Sequence, residues 1–94
     1  VDAETVRLIV AHPSIVRMLK VLRSRGPMIT RRLLDAVHEW TYGEKILKLA
    51  ARLGLVRRER INKDNKLCHS IAGCILNSIT AKGLQLLEIL EEGD

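Results

Sequence analysis

The residues of this chain that can do chemistry are mostly cations, and they are spaced. Thr41, Lys45, Lys48 and Arg52 follow one another at intervals of four, three and four. On a helix that spacing puts all four on one face. Tyr42 and Glu44 lie at its start. Further on come Arg57, Arg58 and Arg60, where strand alternation would set Arg58 and Arg60 on one side and Arg57 and Glu59 on the other. Lys63 and Lys66 follow in a turn-rich stretch, and Arg31 with Arg32 forms an earlier pair. Ammonium and guanidinium groups gathered in this way suit phosphate, through charge and through hydrogen bonds. The plainer alternatives are a solvated helix face and charges that keep an edge strand from pairing with other chains.

A second set is Cys68, His69 and Cys74. Three readings of the two cysteines stand: free thiols, a disulfide that closes a short loop, or metal ligands together with His69. Five residues between thiols is not a usual zinc spacing, and no metal is expected. His12 and His38 fall at expected helix ends, where capping or partial burial is the ordinary role. Asp35 and Glu39 are four apart but unaccompanied. There is no Ser/His/Asp set, phosphate loop or carboxylate cluster at a useful spacing, so neither an enzyme nor a cofactor is expected.

The charge is placed unevenly. Residues 41–66 hold eight Lys and Arg against three Asp and Glu. Residues 80–94 hold one against four. Within a total of +5, that asymmetry points to a polyanion on one face. Ninety-four residues fit one domain, 1–94, and 47% apolar content suits a folded chain. One Trp, one Tyr and no Phe make a stacking platform for single strands hard to build. No apolar run is long enough to span a bilayer, and Asp2 and Glu4 are wrong for a secretory leader; a soluble, cytoplasmic protein with no membrane partner is expected.

The elements that must position these residues read as follows. Ala3, Val6, Ile9 and Val10 mark a helix over 2–11, ended by His12-Pro13. Pro13 opens a second helix to about Ser24, stopped at Gly26-Pro27. A third lies within 28–40, with Thr30 as N-cap. A fourth spans about 41–53, with Ile46, Leu47, Leu49, Ala50 and Leu53 as its apolar side and Gly54 as its stop. Strands are predicted over 55–61 and 75–79, around a long connection. Thr80 caps a last helix, 81–92. The fold class is mainly α with a small β-hairpin.

This order carries a resemblance. Residues 13–90 resemble the winged helix-turn-helix domains of prokaryotic transcriptional regulators of the ArsR and MarR type. The matching stretches are His12-Pro13-Ser14-Ile15-Val16-Arg17-Met18-Leu19, Leu49-Ala50-Ala51-Arg52-Leu53-Gly54-Leu55-Val56, Arg57-Arg58-Glu59 and Ile79-Thr80-Ala81-Lys82-Gly83-Leu84. The chain departs from the family in a longer hairpin tip, in Gly43 and in Trp40. The resemblance implies three helices, a two-stranded wing and a C-terminal helix, with an extra helix at the N-terminus. It implies a double-stranded DNA partner and a role in transcription regulation.

In such a domain the helix at 41–53 enters the major groove by its N-terminal part. Thr41, Tyr42, Glu44 and Lys45 would then lie nearest the bases, and Lys48 and Arg52 nearer phosphate. The wing, 55–79, would bring Arg57, Arg58, Arg60, Lys63 and Lys66 to the backbone or minor groove. Arg31 and Arg32 are further phosphate candidates. Apolar positions on 1–12 and 80–94 suggest a homodimer, with two reading helices about 34 Å apart on an imperfect palindrome. The alternatives are a winged-helix protein-interaction module and a non-specific chromatin-type DNA binder. The lone Gln and the wealth of Arg, Leu and Ile suit a hyperthermophilic, archaeal source, in which intracellular disulfides occur.

Overall fold

Local signals start and stop most of the helices where the sequence places them. In a computed structural model that describes residues 2–92, α1 spans Ala3–Ala11, with the Asp2 carboxylate accepting from Thr5 N–H at 2.9 Å as its N-cap. Residues 1, 93 and 94, which belong to the expected 1–94 domain and 80–94 helix, lie outside the described residues. Helix α2 is Ser14–Arg25, and Gly26 at φ 82° turns the chain out of it. Helix α3 is Thr30–Val37, α4 is Gly43–Arg52, and α5 is Ala81–Glu92. Thr80 caps α5 as predicted, its Oγ1 accepting from Gly83 N–H at 3.0 Å.

Two departures matter for the site. The predicted two-stranded hairpin is part of a three-stranded antiparallel sheet. Strands β2 (Val56–Ile61) and β3 (Cys74–Ile79) pair as expected, but β1 (Met28–Ile29) adds to the far side of β3, in the order β1-β3-β2. Two residues are too few to show a period of two in sequence. Thr30 does not cap α3 by its side chain; it is the first helical residue, and its hydroxyl is engaged across the sheet instead. Helix α3 ends at Val37, inside the expected 28–40, because His38 takes a left-handed φ of 57° and its N–H turns back to the Leu34 and Asp35 carbonyls.

The core lies between α2, α3, α4 and the inner face of the sheet. Ile15, Met18, Leu19 and Leu22 of α2 are fully buried in it, with Leu33 of α3, Leu47 and Ala50 of α4, and Leu86 and Leu87 of α5. Each such Leu or Ile contributes about 1.5–3 kcal/mol by leaving water. Polar contacts set the register. Asn77 of β3 is completely buried. Its amide donates to Met28 O and to Thr30 Oγ1, both at 3.1 Å, tying β3 to β1 and to the start of α3.

The junction between α4 and the sheet is clamped by α5. Leu55 N–H returns to Ala50 O at 3.0 Å across Gly54, whose φ is 80°. Thr80 Oγ1 donates to Gly54 O at 2.6 Å, and Lys82 Nζ donates to Leu53 O at 2.7 Å, where a cation favours a helix C-terminus. At Gly83 the backbones meet: an added Cβ would stand 2.5 Å from Leu55 O. Among the described residues, no helix is long and apolar enough to cross a membrane.

Of the apolar residues on 1–12 and 80–94, Ile9, Leu86 and Leu87 are buried in the protomer's own core. Val6, Val10, Leu84 and Leu90 stay exposed, Val10 by 74%.

Candidate nucleic-acid interface

The amphipathic pattern of α4 resolves into three strips. Gly43, Leu47, Ala50 and the flanking Leu53 are buried. Ile46 and Leu49 are only half-buried, packed on the rim of the core. That corrects the expectation that they are core residues on a par with Leu47: they lie one step around the helix from the buried strip, toward the cations. Thr41, Tyr42, Glu44, Lys45, Lys48 and Arg52 are all exposed. Thr41 and Tyr42 precede the helix, which begins at Gly43, two residues later than predicted.

At Gly43 the start of α4 packs closely on α3. A Cβ there would meet Leu34 Cδ2 at 2.5 Å and Glu39 Cβ at 3.1 Å, so the bare backbone lets the two helices pack through the turn. The turn is braced from outside. Arg17 of α2 donates to Glu39 at 3.0 Å, and the Trp40 indole donates to Asp35 at 2.5 Å. Trp40 and Tyr42 remain 64% and 67% exposed.

Lys48 pairs with Glu44 at 3.7 Å, one turn away and in solvent, an interaction worth only about 0.3–0.5 kcal/mol. Lys45 and Arg52 form no ion pair among the described residues. These groups rim a shallow cavity of about 680 Å³, floored by Ile46 and Leu49 and walled by His12 and Tyr42. The surface thus offers cations at its edge and apolar carbon at its floor.

The arginines of β2 are disposed differently. Arg58 is half-buried; its Nε donates to Asn77 Oδ1 at 2.9 Å and its Nη2 to Thr30 Oγ1 at 3.1 Å. Arg60 donates to Ala72 O at 2.6 Å, across the hairpin. Arg57 is exposed and sits 3.4 Å from Glu59 on the same side of the strand. Alternation along the strand is as read from sequence, but Arg58 and Arg60 bond to acceptors of the protein, Arg58 in a part-buried setting and Arg60 at the surface.

The hairpin tip, residues 62–73, is shaped by side-chain turns. Asn62 Oδ1 accepts from Asp64 N–H at 3.0 Å, and Asn65 Oδ1 from Leu67 N–H at 2.9 Å. Lys63 and Lys66 are exposed on it. Cys68 is buried and joined to Cys74 by a disulfide, with Cα atoms 5.7 Å apart; of the three readings of the pair, the structure holds this one. Instead of projecting, the tip folds back beside α3, so that His69 and Ser70 face Arg31 and Arg32 across an open groove. Arg25, His69, Asn77 and Thr30 acquire roles here that no spacing announced, because each meets its neighbours through the tertiary fold.

Comparison of the chain with protein-family models, curated proteins and solved structures finds no match.

Proposed function

We propose that this domain is a duplex DNA-binding transcriptional regulator of winged helix-turn-helix type, reading sequence with α4 and holding the backbone with its hairpin. The observation that carries the reading is the exposed strip of Lys45, Lys48 and Arg52, opposite the buried Leu47 and Ala50, on a helix joined to α3 by a braced turn. The order of α2, α3 and α4, then the β2–β3 hairpin, then α5 supports it, since three helices, a two-stranded wing and a last helix are what the resemblance implies. The N-terminal end of α4, Glu44 and Lys45 with Thr41 and Tyr42 before it, faces base edges in this reading; Lys48 and Arg52 take phosphate. In the hairpin, Lys63 and Lys66 form no ion pair among the described residues and Arg57 is exposed beside Glu59, while Arg58 and Arg60 hold the sheet and tip in place. Two copies joined through the exposed Val6, Val10, Leu84 and Leu90 would present two reading helices to a palindromic site.

A second reading is a protein-interaction module, favoured by the apolar floor of Ile46 and Leu49 beside exposed Tyr42. Titration of a random-sequence duplex pool at about 50 and 200 mM salt separates the two. DNA binding through several phosphates weakens by orders of magnitude over that range, with a log–log slope of about −0.9 per contact. Absence of binding at the lower salt, or affinity indifferent to salt, rejects the DNA reading. Selection of bound duplexes from the pool then tests sequence preference and symmetry together, and a selected set without consensus identifies a non-specific binder.

A further inference from the structure

A second concentration of positive charge lies away from α4, where the folded-back hairpin tip meets the start of α3. A groove of about 810 Å³ is lined there by Arg25, Arg31 and Arg32 on one side and by His69 and Ser70 of the tip on the other. It runs into a second hollow, of about 360 Å³, which shares Arg25, Arg32 and His69 and adds Lys66. Four cations therefore converge on one concavity from three places in the chain: the end of α2, the first turn of α3 and the tip. None of the four forms an ion pair among the described residues. Asp35 is the one carboxylate among the lining residues, and it accepts the Trp40 indole N–H.

Unpaired arginines in a concave, partly apolar setting have a definite chemistry. Each guanidinium offers paired N–H groups that match two oxygens of a phosphate. Like charges held together without counter-charge repel, so the arrangement favours a ligand that supplies more than one negative charge. The walls are fixed by two covalent or conformational devices. Gly26, at φ 82°, reverses the chain after α2 and brings Arg25 beside β1. The Cys68–Cys74 disulfide pins His69 and Ser70 over the groove.

We propose that this groove binds adjacent phosphates, presented either as a free oligophosphate or as successive phosphodiesters of a nucleic-acid backbone, and that the disulfide builds its outer wall. The site is separate from the α4 surface and does not depend on what that surface binds.

The test is isothermal titration of the oxidised protein with sodium tripolyphosphate and, in parallel, orthophosphate. Tripolyphosphate binds at least about tenfold more tightly than orthophosphate, since it reaches several cations at once. Arg31→Gln and Arg32→Gln each weaken tripolyphosphate at least about fivefold with an unchanged melting temperature, because both side chains are exposed and unpaired. Lys45→Gln, on α4, leaves it unchanged. Dithiothreitol, a neutral reductant, weakens binding severalfold by releasing the tip; Cys74→Ser does the same. No binding of tripolyphosphate, or equal loss in Lys45→Gln and Arg32→Gln, overturns the site. Affinity indifferent to reduction overturns the role of the disulfide.

Competition identifies the source of the phosphates. If tripolyphosphate displaces a duplex from the wild-type protein, and Arg32→Gln weakens the duplex as well, the groove holds a DNA backbone. If duplex affinity is the same in Arg32→Gln while tripolyphosphate is lost, the ligand is a free oligophosphate.

Discussion

Helix α4 and strand β2 carry similar cations and use them in opposite ways. On α4, Lys45 and Arg52 stand in solvent without a protein partner among the described residues, and Lys48 has only a weak one. On β2, each arginine has an acceptor: Glu59 for Arg57, Asn77 and Thr30 for Arg58, and Ala72 O for Arg60. The neighbouring elements explain the difference. A helix satisfies its own carbonyls, so its outward face offers little for a cation to bond. Strand β2 lies beside β3, the start of α3 and the tip, which bring it the Asn77 side-chain oxygen, the Thr30 hydroxyl and the Ala72 carbonyl. The same residue type is thus a free ligand-binding group in one element and a fastening in the other.

The strongest way to break this comparison is Asn77→Leu. It removes the acceptor of Arg58 Nε and the amide donor to Met28 O and Thr30 Oγ1, leaving Arg58 and Thr30 bonded only to each other and to Ile75 O, at a cost of roughly 1–3 kcal/mol. Thermal unfolding is expected several degrees lower, and an unchanged midpoint would mean that Arg58 is not a fastening. Next comes the double variant Lys45→Ala with Arg52→Ala. It lowers duplex affinity about tenfold or more and reduces the salt slope by about one contact, that of Arg52, while the melting temperature stays put. A loss of stability instead of affinity would move α4 into the fastening class.

Within β2 the contrast becomes finer. Arg57 is paired with Glu59, so Arg57→Ala should weaken a duplex by no more than about threefold, and Glu59→Gln should strengthen binding by removing a charge that repels phosphate. Filter or fluorescence binding at one salt concentration reads both. If Glu59→Gln weakens the duplex, Glu59 is positioning Arg57 rather than neutralising it.

The smallest effect belongs to an exposed pair on the far side of the molecule. Arg23 of α2 donates both terminal nitrogens to Glu91 of α5, one of them at 3.0 Å. That hydrogen bonding holds the Glu91 carboxyl below the usual carboxylate range and raises Arg23. A carboxyl whose folded pKa is depressed lends its stability above the unfolded value, about 4.3 for glutamate, and loses it as pH falls through the folded value. Asp2, held low by its bonds to Thr5, follows the same sign at the start of α1. The stability difference between wild type and Glu91→Gln should therefore be small at neutral pH and vanish in acid. A difference that grows in acid would reverse the assignment.

Much of the architecture was legible before any coordinates. The bounds of α5, the Thr80 cap, the stop at Gly54 and the two faces of α4 all followed from residues a few places apart, because caps, stops and helical periodicity are short-range physics. The same rules placed β2 and β3 nearly to the residue. Ile46 and Leu49 were overread as core because periodicity gives a direction on the helix but not the depth of what covers it.

What the sequence could not decide was which cations were free. Arg58 and Asn77 are 19 residues apart, Arg60 and Ala72 are 12, and Asn77 reaches Met28 across 49. No local pattern encodes those pairings, since they depend on the chain closing its sheet and folding the tip back against α3. Charge and amphipathy are properties of the residues and could be read from their order. Whether a guanidinium meets solvent, a carbonyl or an open groove is a property of the space around it, and only the tertiary structure supplies that.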